Sequence, residues 1–278
     1  FMLTLLPYFT QPMWEIVAQE LGHIRTIFET DKNQELFQQV YLKLSIHETK
    51  RLGWSEKPNE LHADKLLRPL VLALSSYGRD KKTVNRCERV FDAATNIDLI
   101  PSTTRGLILA TVARTRDDKN TYDTLLSWHN IAPTDEVKHD VALALTSFKS
   151  ESLNLKTLKF IKSKYVKQQD VIFWILYLLS NKSAKSVTWK WIQSEWQWIK
   201  ELLGAEVYFS SLPYFIARNF HTLEFLDEYL AFFETHKHDP VLRRSIAQGK
   251  ETLLWQIDWS ERDNDQIEAA LHLVINLN

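Results

Sequence analysis

Apolar residues return along this chain every three or four positions, the period of an α-helix, and almost nowhere at every second position. Trp14, Val17, Leu21, Ile24 and Phe28 lay one stripe on a helix, with Pro12 near its first turn, where a missing N–H costs nothing. Leu36, Val40, Leu44 and His47 repeat the pattern. Arg51-Leu-Gly-Trp54 then breaks it, with Gly53 suited to the position after a helix. The spacing next predicts paired helices. Asn59–Tyr77 goes with Lys81–Ala94, Ser102–Thr115 with Asn120–His129, and Thr134–Phe148 with Glu151–Lys164. Gln168–Ser180 goes with Ser183–Leu203, Ser183 being the expected N-cap, and Glu206–Phe220 with Thr222–His236. Pro240 opens a long helix striped by Leu242, Ile246, Leu253 and Ile257, and a last short helix covers Gln266–Leu273. Val207-Tyr-Phe209 is the one short β-like run, too isolated to pair.

A repeat runs under this pattern. Arg68-Pro-Leu-Val-Leu-Ala-Leu with Tyr77-Gly-Arg-Asp80 returns as Arg105-Gly-Leu-Ile-Leu-Ala-Thr with Thr115-Arg-Asp117. Ala73 and Ala110 stand 37 residues apart, and so do Asp80 and Asp117. A fixed period of this size belongs to stacked helix hairpins. With short connections between the helices, the expected fold is all-α, a HEAT- or armadillo-like superhelix of antiparallel hairpins with a concave face. Nothing in the chain reads as a linker, so residues 1–278 are expected to form a single domain.

Composition narrows the classes. At 45% hydrophobic, 278 residues can bury a sizeable core, and 6 Gly and 8 Pro leave little for the turns of an all-β fold. A net charge of −1 argues against a nucleic-acid binder. No apolar run reaches the roughly 20 residues that span a bilayer, so no membrane partner is expected. A single cysteine requires no oxidising compartment, and a cytoplasmic setting is expected. A start on Phe1 rather than Met, followed by apolar residues through Phe9, reads as a piece of a longer protein.

Candidate chemistry is sparse. His47-Glu48-Thr-Lys-Arg51 approaches a zinc-peptidase helix, but the second His is needed four residues on and Arg51 stands there. It reads as a helix end with surface charges. His236-Lys-His238 beside Asp239 reads as solvated, and Asp117-Asp118-Lys-Asn120 as the polar turn of a hairpin without calcium-loop spacing. Cys87, between Arg86 and Arg89, has no local His partner and reads as a structural thiol. No Gly-rich phosphate loop and no Gly-x-Ser-x-Gly occur. Trp189 and Trp196 are seven apart, as are Trp191 and Trp198, so one stripe can face the core and the other a neighbouring repeat or partly solvent. Arg218, in Ala217-Arg-Asn-Phe-His-Thr222, is the cation singled out. It falls at a helix end, where it can also serve the last carbonyls and the helix dipole.

In this order, several segments resemble the C-terminal domain of the aminopeptidase N family of zinc metallo-aminopeptidases, from about Trp14 to Leu273. They are Arg51-Leu-Gly-Trp54, Leu67-Arg-Pro-Leu-Val-Leu with Tyr77-Gly, and Thr188-Trp-Lys-Trp191 with Glu195-Trp196. Ser210-Ser-Leu with Arg218-Asn-Phe-His-Thr222 and Trp255-Gln-Ile-Asp-Trp259 complete the set. The resemblance implies a helical domain that closes over the active site, walls the substrate cavity and regulates peptide access. Its partners would be the peptide substrate and the catalytic domain of the same chain. It implies zinc in the parent enzyme and no cofactor in this segment, because neither Gly-x-Met-Glu-Asn nor His-Glu-x-x-His occurs here. The segment alone is therefore expected to be inactive. In relatives, basic residues of this domain can meet the C-terminal part of a peptide, and Arg218 aligns best with such an arginine as a substrate-binding residue. Asn219 stands where some relatives have a second Arg. The competing reading is a stand-alone HEAT-like scaffold that binds a protein or peptide in its groove.

Overall fold

A computed structural model describes residues 9–204 and 206–277, and the apolar start up to Tyr8 lies outside them. Fifteen α-helices and no strand occur among the described residues, so the chain is all-α. The helices gather into two compact units, Phe1–Val112 with Asn264–Asn278, and Ala113–Asp263.

In the first unit, α1 (Gln11–Phe28) starts with its proline in the first turn and buries Trp14, Ile27 and Phe28. Val17, Leu21 and Ile24 of the expected stripe are half-buried. The buried face of α2 (Gln34–Leu52) is set one position from the expected one: Phe37, Val40, Tyr41, Leu44 and Glu48 face inward, while His47 is exposed. Gly53 ends α2 at φ 65°, a left-handed conformation that an L side chain rarely adopts. α3 (His62–Tyr77) packs on α2, and Gly78 is what permits the approach. A Cβ on Gly78 would lie 2.6 Å from the Leu42 backbone nitrogen. Tyr41 and Tyr77 meet with ring centroids 4.4 Å apart, the Arg25 guanidinium lies 4.4 Å from the Tyr77 ring, and Tyr77 donates to Glu29. Arg68 and Glu60 form an ion pair with both side chains 4% exposed. α4 (Lys81–Ala93) follows, then the N-terminal part of α5 (Arg105–Arg116). From the far end of the chain, the unit includes the C-terminal turns of α15 (Arg243–Asn276), where Lys43 Nζ donates to the Ile275 carbonyl at 2.7 Å.

The repeat shows most clearly in the turns, with a corrected register. Asp80 and Asp118, not Asp117, play the same part. Asp80 accepts from Thr83 N and Thr83 Oγ1 to cap α4, and Asp118 accepts from Thr121 N and Thr121 Oγ1 to cap α6 (Lys119–Ile131). The residue before each cap is left-handed, Arg79 at φ 55° and Asp117 at φ 48°. Each turn thus spends one positive-φ residue and one capping aspartate. The helices recur at 37 and the caps one residue later, which a comparison of sequence alone slides past.

In the second unit, α6, α7 (Asp135–Leu145) and α8 (Glu151–Ile161) lead to α9 (Val171–Ser180) and α10 (Lys185–Ser194). The expected helix Ser183–Leu203 is two helices, α10 and α11 (Trp196–Leu203), broken at Glu195. Ser183 is not the cap: the Asn181 side chain accepts from Ser183 N at 3.0 Å. Glu206–Phe220 is likewise split into α12 (Val207–Ser210) and α13 (Leu212–Ala217). Pro213 in the first turn of α13 has no N–H to continue the earlier ladder. Val207-Tyr-Phe209 is helical rather than β-like. α14 (Leu223–Phe233) is capped by Thr222, and α15 absorbs the separate last helix that the pattern suggested. The tryptophans divide as expected. Trp189 and Trp196 are buried against Phe232 and Phe233, while Trp191 and Trp198 form a half-buried edge-to-face pair at 6.0 Å.

One set of contacts in this unit joins successive hairpin turns. Asp117 accepts from the backbone N–H groups of Lys149 and Ser150, at 2.7 and 3.0 Å. Asn181 Nδ2 donates to the carbonyls of Thr146 and Phe148, at 2.9 and 2.7 Å. Lys185 Nζ donates to the Asn219 carbonyl at 2.8 Å, and Gln256 Nε2 to those of Ala217 and Phe220. The bonded residues are 32 to 39 apart, so each bridge reaches from one repeat to the next. Carbonyls left over at helix ends need partners, and here a neighbouring hairpin supplies them.

Gly78→Ala should lower stability by about 1–3 kcal/mol, because the added methyl meets backbone that has no rotamer to yield. Thermal unfolding of the variant checks this, and an unchanged Tm would contradict the close packing of α2 on α3.

Candidate functional site

The best-built polar feature of the second unit is the turn between α13 and α14. α13 closes with tight bonds, Asn219 N to the Ile216 carbonyl at 3.1 Å and Phe220 N to that of Ala217 at 3.2 Å. Asn219 Nδ2 donates to the Phe215 carbonyl at 2.8 Å. Lys185 from α10 holds the Asn219 carbonyl, and Gln256 from α15 those of Ala217 and Phe220. Phe220 stacks on Phe225 with centroids 3.6 Å apart and planes 5° apart. α15 comes close here because of Gly249, where a Cβ would lie 2.1 Å from Tyr229 Oη and 3.2 Å from Ala217 Cβ. α10 and α15 therefore pin this turn through its backbone, and α14 through the Phe225 ring.

Arg218 sits on the turn and is exposed. Its guanidinium lies 5.8 Å from the Tyr214 ring centroid, and no carboxylate pairs with it among the described residues. Behind it Lys185 and His221 are half-buried. Burial holds the Lys185 amine down at about 8, with the Lys182 charge adding to the effect. Burial also holds the His221 imidazole down at about 4, with Lys185 as the second cause. His221 Nδ1 and Gln256 Oε1 are buried atoms without a hydrogen-bond partner among the described residues. Chemically, this is a rigid mount for one guanidinium. It suits recognition of a carboxylate, with little side-chain entropy left to lose beyond that of Arg218 itself.

The other candidates take different roles. Glu48 is not one of a set of surface charges. Its carboxylate is buried, 3.0 Å from His47 Nδ1 and 2.7 Å from Arg51 Nε, and Arg51 makes two further bonds to Asp64 at 3.0 and 2.7 Å. Arg51 thus occupies the ligand position of a zinc helix with a cation already in a network, and these residues do not fit zinc. Asp239 is taken by Lys200 at 2.8 Å and by Val241 N at 3.0 Å, and His236 lies against the Trp196 ring, so His236 and His238 do not converge on a metal. No group of three or more His, Cys, Asp or Glu side chains that would hold a metal occurs among the described residues. Cys87 is fully buried. A broad groove of about 890 Å³ runs along α4 beside Trp54, lined by Lys82, Arg86, Glu88, Arg89 and Asp92 of that helix. No helix among the described residues is long and apolar enough to cross a membrane.

Sequence reading singled out Arg218 but not the two residues that bond its turn, Lys185 and Gln256. Lys185 looks like a surface residue at a helix start, and Gln256 like one polar residue of the Trp255–Trp259 segment. The signal was the repeat: Lys185 and Asn219 are 34 residues apart, close to the period.

Residues 10–254 match the family described as ERAP1-like C-terminal domain. The chain belongs to this family. It is similar to aminopeptidase N from Lactococcus lactis subsp. lactis, 27% identical over 257 residues, covering 91% of this chain and 30% of the relative. It is also similar to aminopeptidase M1-D from Oryza sativa subsp. japonica, 26% identical, covering 90% and 30%. With aminopeptidase M1 from Arabidopsis thaliana it is 28% identical, covering 83% and 27%. The chain thus spans about a third or less of the relatives it matches, and the resemblance read from the sequence holds: this is a C-terminal domain of the aminopeptidase N type.

Two imidazoles, the buried His129 and the half-buried His221, give this unit a pH dependence. His129 is 2% exposed between the rings of Phe160 and Trp174, and burial, then Lys138, brings it down to about 4, with Asn130 opposing. Both His129 and His221 bind a proton less readily when folded than when unfolded. Their neutral forms cost nothing above about pH 6.5, and stability falls as pH drops from there to about 4. For the fully buried His129 this amounts to at most about 3 kcal/mol. Thermal melts at about pH 7 and pH 4.5 should show an acid-side loss that His129→Phe reduces. An identical loss in that variant would show that His129 does not contribute.

Proposed function

We propose that this chain is the helical domain of a zinc-dependent aminopeptidase that closes over the active site and forms a wall of the substrate cavity. Its role is to regulate peptide access, as one domain over residues 1–278, while the zinc is held by another part of the enzyme. Family membership and the names of the relatives support the aminopeptidase reading. The partners in this reading are a peptide substrate and the catalytic domain of the same chain.

Within it, Arg218 is the substrate-binding residue and takes the C-terminal carboxylate of a peptide. The observation that carries this is the mount. Arg218 is exposed and without an acidic partner among the described residues, on a turn whose Ala217, Asn219 and Phe220 carbonyls are engaged. Such a cation is free to pair with an incoming carboxylate at a small ordering cost, whereas one already in a surface pair would have to break it first. A residue that meets only the far end of a substrate shifts binding of substrates long enough to reach it.

In the full-length enzyme, Arg218→Ala should raise KM for peptides of several residues about tenfold, as expected for loss of a charge-assisted bond. It should leave single-residue amides unchanged. Steady-state kinetics over a length series decides, and equal effects on both substrate types would sink this role for Arg218.

A further inference from the structure

The bridge from Lys185 to the Arg218 turn is built unlike a surface contact. The Lys185 side chain leaves the first turn of α10, where a cation is disfavoured by the helix dipole. It is half-buried, although a lysine gains hydration by reaching outward. Its ammonium donates at 2.8 Å to the carbonyl of Asn219, the residue after Arg218, and lies 5.1 Å from the centroid of the Phe220 ring. No carboxylate pairs with it among the described residues. Its charge is therefore partly desolvated, and what it receives in return is a backbone carbonyl and an aromatic face of one turn.

The other supports of that turn do not replace it. Asn219 Nδ2 serves the Phe215 carbonyl, and Gln256 Nε2 serves those of Ala217 and Phe220. The Asn219 carbonyl is left to Lys185. Without the lysine, that carbonyl has no other protein donor among the described residues, and the Asn219–Phe220 peptide plane, the second after Arg218, is left with only the bond from Phe220 N to the Ala217 carbonyl.

We infer that Lys185 is a positioning residue for Arg218: it fixes the Asn219 peptide so that the guanidinium is presented in one orientation to the carboxylate of a bound peptide. This rests on the role of Arg218 proposed above. Lys185 acts through the turn and does not touch the peptide itself. Its loss therefore weakens binding by substrates that reach Arg218 and spares the chemistry of shorter ones. Its effect also vanishes once Arg218 is gone, because there is nothing left to orient.

The test is a double-mutant cycle in the full-length enzyme, with Lys185→Met, Arg218→Ala and the pair, assayed on a peptide of several residues and on a single-residue amide. Lys185→Met should raise KM for the peptide about three- to tenfold, leave kcat and the amide unchanged, and add nothing to Arg218→Ala. Lys185→Arg, which keeps a cationic donor, should restore the peptide KM. A structural role alone would lower Tm without this split between substrates and without rescue. If Arg218→Ala raises the peptide KM and Lys185→Met does not, or if the two effects simply add, the positioning role is overturned while Arg218 keeps its own. If Arg218→Ala is silent, both are overturned. Should Lys185→Met fail to fold, Lys185→Gln takes its place. It is one atom too short to reach the Asn219 carbonyl but retains a polar head, and the same outcomes apply.

Discussion

Every helix leaves carbonyls at its C-terminal end without intrahelical partners, and a chain of many short helices repeats that difficulty at each hairpin. In the second unit of this protein the neighbouring hairpin resolves it. Asp117 reaches the backbone of Lys149 and Ser150, Asn181 the carbonyls of Thr146 and Phe148, Lys185 that of Asn219, and Gln256 those of Ala217 and Phe220. Asn181, Lys185 and Gln256 satisfy carbonyls, whereas Asp117 accepts from two amides at the start of the next helix. Along the same stack, the Thr157–Tyr122, Lys156–Asp123 and Lys162–Glu195 contacts span 33 to 35 residues, so side chains tie successive repeats as well. Each pair of hairpins is incomplete alone, which is the energetic logic of a repeat array.

This scaffold shapes what the candidate site can do. A turn whose carbonyls are engaged by Lys185, Gln256 and Asn219 has few ways to move, and the exposed side chain it carries inherits that order. Arg218 is thus a flexible cation on a stiff base. The partial desolvation behind it, where Lys185 and His221 are both held below their ordinary proton affinities, is the cost of that stiffness.

Much of the fold was legible in the sequence, and the misses have physical causes. Period 3.6 and the Gly and Pro punctuation located most helices within a few residues, because an amphipathic stripe is a local property. The break at Glu195 was invisible, since Trp196 and Ile199 continue an apolar pattern and the disruption lies in the backbone. Pro213 did carry a signal, but the serine-rich stretch before it reads equally well as a helix start. The buried Glu48 was misread because a lone carboxylate beside a helix end is ordinarily solvated, and only its three-residue reach to Arg51, which in turn grips Asp64, makes its burial tolerable. In the candidate site, Arg218 could be named from its place after a helix. Its supports could not, because Lys185 and Gln256 lie 33 residues before it and 38 after it, and only the period of the array brings them together.

The central claim is that this helical domain receives part of the peptide at the α13–α14 turn. Hydrogen exchange in the full-length enzyme, with and without a tight-binding peptide that resists cleavage, addresses it most directly. The account predicts slower exchange of the amides of Arg218, Asn219 and Phe220 when the peptide is bound, and loss of that protection when the peptide's C-terminal carboxylate is amidated. Protection confined to other parts of the enzyme, with these amides unchanged, would contradict it.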